Sequence, residues 1–269
     1  MTEQSNREFS KLGCYLLPGH TRTPADAIAE ARKAEALGLG KVWLSERFDV
    51  KDAGVICAAA LTATEHIKVA TAGTNLHTRH PHTLATMCSS LHYISGGRFE
   101  LGLARGVAIR NQLMGLEAVS NAQLVDGLDI LRTLWRGGKI MGYDGPMGTL
   151  PYLSSGDWLD AEIPIHFIGF GPKSLRFAGQ HFDGVHLHTF ITPAGIIHIE
   201  HFPAILLDPE QPQFLRHFSG QTIFANFTNG IHFHGSTFTG PRGKNILSYN
   251  VWGGGFAGNS NAFSLGFKL

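Results

Sequence analysis

Residues 67–81 run Ile-Lys-Val-Ala-Thr-Ala-Gly-Thr-Asn-Leu-His-Thr-Arg-His-Pro, an apolar strand that breaks at Gly73 and gives way to a helix at Pro81. Residues 96–106, Gly-Gly-Arg-Phe-Glu-Leu-Gly-Leu-Ala-Arg-Gly, repeat the plan: a turn, a strand carrying Phe99, Leu101 and Leu103, then Arg105-Gly106. Glycine at the end of a strand lets a ligand approach the backbone closely. Arginine or asparagine beside it can hold a phosphate or the edge of a ring. In a parallel barrel the C-terminal ends of the strands are where sites lie. The two units together point to loops shaped for a flat, phosphorylated cofactor.

Outward from this pair the same rhythm continues. Leu12–Leu17 is a short apolar run closed by Pro18-Gly19. Thr23-Pro24-Ala25-Asp26 then offers a cap, a proline in the first turn and an acidic residue, a capping-box-like helix start. Ile28, Ala31, Ala34 and Leu37 follow at helical spacing, and Gly38 ends the helix. Lys41–Leu44 is a second strand and Ala53–Thr64 a second helix. Leu84, Met87, Cys88, Leu91 and Ile94 form one stripe on the helix after Pro81. Leu124, Val125, Leu128, Leu131 and Trp135 mark another helix, and Gly137–Leu153 a loop or hairpin. Ile163–Ile168, Ser174–Gly179 and Gly184–His188 give strand, helix, strand. Alternation of this kind implies parallel pairing and an α/β fold. Six units fit a TIM-barrel-like (β/α)8 fold that is incomplete, since a full barrel takes about 250 residues.

The C-terminal part behaves differently. Residues 194–269 hold only seven charged groups against 36 in residues 1–193, and 10 of the 18 phenylalanines. Thr222–Thr228, Asn229-Gly230 and Ile231–Thr237 suggest a two-residue-turn hairpin, with further strands over Asn245–Trp252 and Ala262–Leu269. The expected organisation is a barrel domain over 1–193 and a Phe/Gly-rich, β-prone tail over 194–269.

The net charge of +1 argues against nucleic acid and anionic membrane as partners. Three cysteines in apolar contexts suit reduced core residues of a cytoplasmic protein. The polar start shows no signal peptide, and no apolar run approaches the roughly 20 residues of a membrane span. His77, His80 and His82, like His198 with His201 and His232 with His234, lie close in sequence, but no matching carboxylate set accompanies them, so no metal is expected. No G-x-G-x-x-G follows the first strand, which argues against a dinucleotide fingerprint.

Several ordered pieces between Lys11 and Pro193 resemble the bacterial luciferase-like superfamily, within it the subgroup that uses coenzyme F420, a 5-deazaflavin. They are Glu35-Ala36-Leu37-Gly38-Leu39, Val42-Trp43-Leu44-Ser45-Glu46-Arg47-Phe48, Thr74-Asn75, Thr78-Arg79-His80-Pro81 and Gly97-Arg98-Phe99 through Gly106. Leu134-Trp135-Arg136-Gly137, Gly171-Pro172-Lys173, Asp183-Gly184-Val185 and Leu187-His188-Thr189 follow in order. The resemblance implies a (β/α)8 barrel, often a homodimer, with the cofactor at the C-terminal ends of the strands and a small molecule as substrate.

Relatives commonly carry an Asp-His pair after the second strand, near the reactive face. Glu46 and Arg47 stand there, and are the catalytic candidates. Arginine cannot exchange protons near neutral pH, so Arg47 would favour negative charge on the reduced ring, and the proton donor must be another residue or water. Relatives also tend to hold a non-prolyl cis peptide after the third strand, where Ala72, Gly73, Thr74 and Asn75 lie. By the same resemblance, Ala104, Arg105 and Gly106 form a second contact loop. Gly169, Phe170, Gly171, Pro172 and Lys173 form the loop that cradles the phosphate, with backbone N–H groups leading into a helix.

Plainer readings exist for each group: a salt bridge at a strand end for Glu46 and Arg47, helix anchoring for Arg79 and His80, a simple turn for Gly73–Asn75. The function these residues favour is hydride transfer between the deazaflavin and an organic substrate. The alternatives are an FMN-dependent monooxygenase of the same superfamily, and a non-catalytic relative altered by its tail.

Overall fold

The computed structural model describes residues 9–187 apart from 11, 19–20 and 170–171, together with the backbone of four later strands. Along the chain come β1 (Gly13–Tyr15), α1 (Asp26–Ala36), β2 (Lys41–Leu44), α2 (Ala53–Thr62), β3 (Lys68–Thr71), α3 (Pro81–Ile94) and β4 (Phe99–Leu103). A short α4 (Ala108–Leu113) and α5 (Asn121–Trp135) precede a hairpin of β5 (Lys139–Gly145) and β6 (Gly148–Ser154). Then follow β7 (Ile165–Gly169), α6 (Pro172–His181) and β8 (Gly184–Leu187). The four later strands are β9 (Asn226–Phe227), β10 (Ile231–Thr239), β11 (Asn245–Gly253) and β12 (Asn261–Phe267).

Six strands pair in the order β1-β2-β3-β4-β7-β8, every neighbour parallel. The result is the expected α/β plan: a curled, incomplete TIM-barrel-like sheet with helices on its outer side. Alternation along each strand separates two environments. Val42, Leu44, Val69, Phe99, Leu101, Leu103, Ile165 and Phe167 join the helices in the main core. Trp43, Ala70 and Ala72, with Tyr15 against them, form a separate cluster on the inner side.

Local chemistry sets the element ends. α1 stops in a Schellman-type turn at Gly38, φ +76°, where Leu39 N donates to Ala34 O at 3.1 Å. Its start differs from the sequence expectation. The Thr23 hydroxyl bonds to the Asp26 carboxylate, and the helix begins only at Asp26, because Thr23–Asp26 closes as a turn through Asp26 N to Thr23 O at 3.0 Å. Asp52 caps α2 by accepting from Val55 N at 3.0 Å, and His80 caps α3 just before Pro81. α5 carries a full capping box between Ser120 and Gln123, and its Trp135 Nε1 donates to Ala85 O of α3 at 3.1 Å. Of the two readings of Gly137–Leu153 the hairpin holds, spanning Lys139 to Ser154.

Two motif residues prove to be fasteners far from the strands' C-terminal ends. Arg98 donates to the carbonyls of Leu61, Thr64, Ile67 and Ser95, tying the end of α2 to the start of β4. The Glu35 carboxylate accepts from the backbone N–H groups of Glu65, His66 and Ile67.

The four later strands form their own antiparallel sheet, β12-β11-β10-β9. Ile231 pairs with Phe227, so three residues, 228–230, join β9 to β10 in place of the expected two-residue turn at Asn229-Gly230; those residues and the boundary at 193–194 lie outside the described residues. The backbone of β12 approaches β1 and that of β10 and β11 approaches β8, so this sheet lies by both edges of the parallel one. Among the described residues no helix is long and apolar enough to cross a membrane.

Candidate functional site

At the C-terminal mouth of the parallel sheet, the loops after β2, β3 and β4 are cross-linked. Ala72 N donates to Leu44 O at 2.6 Å, and Ser45 Oγ donates to Ala72 O at 2.7 Å. The Ala72–Gly73 peptide is cis. Thr74 N donates to Gly102 O at 3.0 Å and Ala104 N to Thr74 O at 2.8 Å, so residues 72–74 stay laced to β4 beyond the end of β3. A Cβ on Gly73 would lie 2.6 Å from Ile168 Cδ1 and 2.9 Å from Gly102 O. Only glycine fits there. The buried Asn75 side chain accepts from His77 N and Thr78 N, both at 3.0 Å, which fixes the turn that leads into α3.

Glu46 is held more tightly than sequence alone suggests. Its buried carboxylate accepts from Thr74 Oγ1 at 2.6 Å, from Ala53 N at 3.2 Å, and from Arg79 Nη1 and Nη2 at 3.1 and 2.6 Å. Arg79 Nη2 also reaches Asp52 at 2.6 Å, and Nη1 reaches Thr74 Oγ1 at 3.0 Å. The bond to Glu46 raises the guanidinium's pKa further, against the effect of burial. Arg79 therefore fastens β2, the 72–74 bulge and the starts of α2 and α3 at one point. The plain salt-bridge reading of Glu46 describes its contacts, with Arg79 rather than Arg47 as partner.

Arg47 behaves differently. Its backbone forms a tight bridge with Lys51, N to O at 3.0 and 2.9 Å, and its buried Nε has no hydrogen-bond partner. An unsatisfied buried donor is costly, on the order of 1–3 kcal/mol, so this one suits a ligand that brings an acceptor. Nearby, Lys51 is buried with Nζ donating to Leu17 O at 2.9 Å, and burial pulls its pKa down to about 8.

On the next loop, Gly106 has φ +76° and no room for a side chain beside Asn111. Arg105 turns to the outer side of the sheet. Its guanidinium lies 5.4 Å from both the Phe167 and Phe177 rings, bridging the β4 loop to α6, and burial lowers its pKa. Phe170 and Gly171 lie outside the described residues. Gly169 ends β7, Pro172 opens α6, and Lys173 is exposed in its first turn.

Sequence reading missed a second set of residues, on the inner side of the sheet. Toward the N-terminal end, buried Glu100 is bound by Lys41, by Lys68 at 2.9 Å and by His166 Nε2 at 2.6 Å. Burial pushes the Glu100 pKa up, but Lys41 first, then His166 and Lys68, bring it well below the ordinary carboxylate value. Trp43 packs between this group and His186, edge-on to His166 with ring centroids 5.8 Å apart and tilted against His186 at 4.6 Å. Toward the mouth the Tyr15 hydroxyl bonds His186 Nε2. The available signal was the alternation in Phe-Glu-Leu-Gly-Leu and Ile-His-Phe-Ile-Gly, which puts Glu100 and His166 opposite the core face. Among the described residues no group of three or more His, Cys, Asp or Glu side chains gathers to hold a metal; His198 and His201 lie outside them.

Comparison with known proteins agrees with this architecture. The chain is 30% identical over 171 residues to the 5,10-methylenetetrahydromethanopterin reductase of Methanolobus tindarius, covering 60% of this chain and 51% of that one. It is 29% identical over 175 residues to the F420-dependent glucose-6-phosphate dehydrogenase of Microbacterium testaceum, covering 60% and 50%. The chain thus spans about half the length of these relatives. Among solved structures it is similar to an F420-dependent secondary alcohol dehydrogenase in complex with an F420–acetone adduct, with TM-score 0.58 and 25% identity over 66% of this chain and 57% of that one. Residues 10–200 match the model of the luciferase-like monooxygenase family. With most of its length inside that match and a parallel, helix-backed sheet to go with it, the chain belongs to the luciferase-like monooxygenase family.

Proposed function

We propose that this chain is an oxidoreductase that moves a hydride between a deazaflavin, coenzyme F420, and a small organic substrate. The observation that carries the reading is the orphaned, buried Nε of Arg47 on the loop after β2, the loop that Ser45 ties to the 72–74 bulge at the mouth. Relatives named as F420-dependent support it. FMN is the alternative cofactor, in line with structures of similar fold such as a Baeyer–Villiger monooxygenase bound to FMN.

A bound deazaflavin would supply the ring carbon that gives or takes the hydride. The chain's own residues then divide the work. Gly73, Thr74 and Asn75 back the ring, and Glu46 keeps Thr74 in place through the contacts above. Arg47 favours negative charge that builds on the reduced ring. Ala104, Arg105 and Gly106 form the neighbouring wall, with Arg105 holding that wall to α6. Gly169 through Lys173, with Phe170, Gly171 and Pro172 between them, receive the phosphate at the start of α6. By family resemblance we also infer a homodimer.

Titrating the purified protein with the deazaflavin and with FMN, and following fluorescence quenching, tests the cofactor directly. Saturable binding is expected for both or for the deazaflavin alone, with the deazaflavin tighter. Saturable FMN binding with none for the deazaflavin would reverse the assignment. Lys173→Ala should weaken deazaflavin binding about 10- to 100-fold, the effect of losing a charge-assisted contact of roughly 1.5–3 kcal/mol. Arg47→Ala should lower turnover more than affinity; full turnover would move Arg47 to a structural role.

A further inference from the structure

We propose that Tyr15 is the residue that exchanges a proton with the substrate oxygen, with His186 behind it as the proton acceptor. This rests on the deazaflavin reading above, which leaves the proton carrier open. Glu46 is saturated by Arg79, Thr74 and Ala53, and Arg47 cannot release a proton near neutral pH. Burial pushes the Cys14 thiol up to about 12 and raises those of Cys57 and Cys88 further, so none of them is a thiolate at neutral pH.

Tyr15 stands at the C-terminal end of β1, on the inner side, packed against Trp43, Ala70 and Ala72. Its hydroxyl bonds His186 Nε2 and lies beside Ser45, whose Oγ donates to Ala72 O at 2.7 Å. The two rings meet edge to face, centroids 5.5 Å apart, and Trp43 packs on the other side of His186 at 4.6 Å. The phenol thus stands on the inner side of the sheet, next to the Ser45 hydroxyl that holds the bulge by its Ala72 carbonyl. Burial raises the Tyr15 pKa, so the phenol keeps its proton at neutral pH and can pass one along. The second lumen histidine, His166, is tied to Glu100 nearer the opposite end.

In oxidation of a secondary alcohol, the carbinol C–H bond breaks and its electron pair leaves with the hydrogen to the ring of the oxidised cofactor. The hydroxyl O–H bond breaks and its proton passes to the Tyr15 oxygen, while the Tyr15 proton passes to His186 Nε2. The carbon–oxygen double bond forms, and once the ketone has left, buried His186 returns its proton to the Tyr15 oxygen while half-buried Tyr15 passes its own to solvent. Alcohol and oxidised cofactor become ketone, reduced cofactor and one proton; the reverse sequence reduces a ketone.

The test uses the full chain, its Tyr15→Phe and His186→Gln variants, the deazaflavin, and 2-propanol, cyclohexanol and their ketones as probes. Tyr15→Phe should bind the deazaflavin as the wild type does and keep its KM. Its kcat should fall about 100-fold or more, the usual contribution of a positioned acid or base. His186→Gln should show a smaller loss that added imidazole partly restores. Without cofactor, the imidazole nitrogen resonances of His186 should shift in Tyr15→Phe. Wild-type turnover in Tyr15→Phe, or an unmoved His186 resonance, would overturn the proposal. So would a wild-type protein that binds the deazaflavin but acts on none of the four probes. Failure of the wild type to bind the deazaflavin at all would overturn the cofactor assignment instead.

Discussion

Replacing Glu100 by alanine should cost the fold about 3 kcal/mol, near the lower end of what breaking a buried ion pair costs. The carboxylate is almost fully buried and compensates Lys41, Lys68 and His166 together. Lys68 is half exposed and can turn to water, whereas His166 is buried and Lys41 nearly so. The effect also has a pH signature. Glu100 has its pKa lowered in the folded state, so its stabilisation is complete above its unfolded value, about 4.3. It is lost as pH falls from there toward the lower folded value. Wild-type protein should therefore weaken steeply below about pH 5. Glu100→Ala should weaken less steeply, keeping the part due to Glu35, whose pKa the backbone N–H groups of residues 65–67 also lower. Denaturant titrations at a series of acidic pH values check both claims; equal acid slopes in the two proteins would sink the assignment.

Arg79→Met is expected to be nearly as damaging, and to reach further. It leaves the buried Glu46 carboxylate with Thr74 and Ala53 alone and takes the guanidinium from Asp52, which keeps only its cap to Val55 N. A loss of about 3 kcal/mol follows from stranding one member of a buried pair, or about 6–12 °C in Tm for a domain of this size. Because Thr74 loses both a direct donor and the anchor of its own acceptor, the bulge should loosen and deazaflavin affinity fall with it. Arg79→Lys keeps the charge but not the fork that spans two carboxylates, so it should recover only part of each loss. Unchanged cofactor affinity in Arg79→Met would show that the Glu46–Thr74 contact does not shape the binding surface.

Where the determinants were local, the sequence was legible. β2 falls on Lys41–Leu44 as read, because an apolar run bounded by Gly40 and polar residues leaves little choice. α3 runs from Pro81 to Ile94, as its stripe and the following Gly96-Gly97 imply. Thr23 misled because its hydroxyl found a side-chain acceptor in Asp26 in place of a backbone N–H. The site was only half legible, for a different reason. Its loops follow from strand ends and glycines, but what each charged group does depends on partners distant in the chain. Arg79 meets Glu46 across 33 residues, His166 meets Glu100 across 66, and His186 meets Tyr15 across 171. No local periodicity records such pairs. The outward turn of Arg105 onto Phe167 and Phe177 is of the same kind, since those rings come from β7 and α6.

The central claim is that a deazaflavin lies on the Ala72–Asn75 bulge at the C-terminal mouth of the parallel sheet. Diffraction from crystals soaked with the deazaflavin tests it most directly. The expected difference density puts the ring against Gly73 and Thr74, an acceptor within reach of Arg47 Nε, and the phosphate at residues 169–173. Density at the opposite end of the sheet, beside Lys41 and Lys68, or on the outer helices, would contradict it.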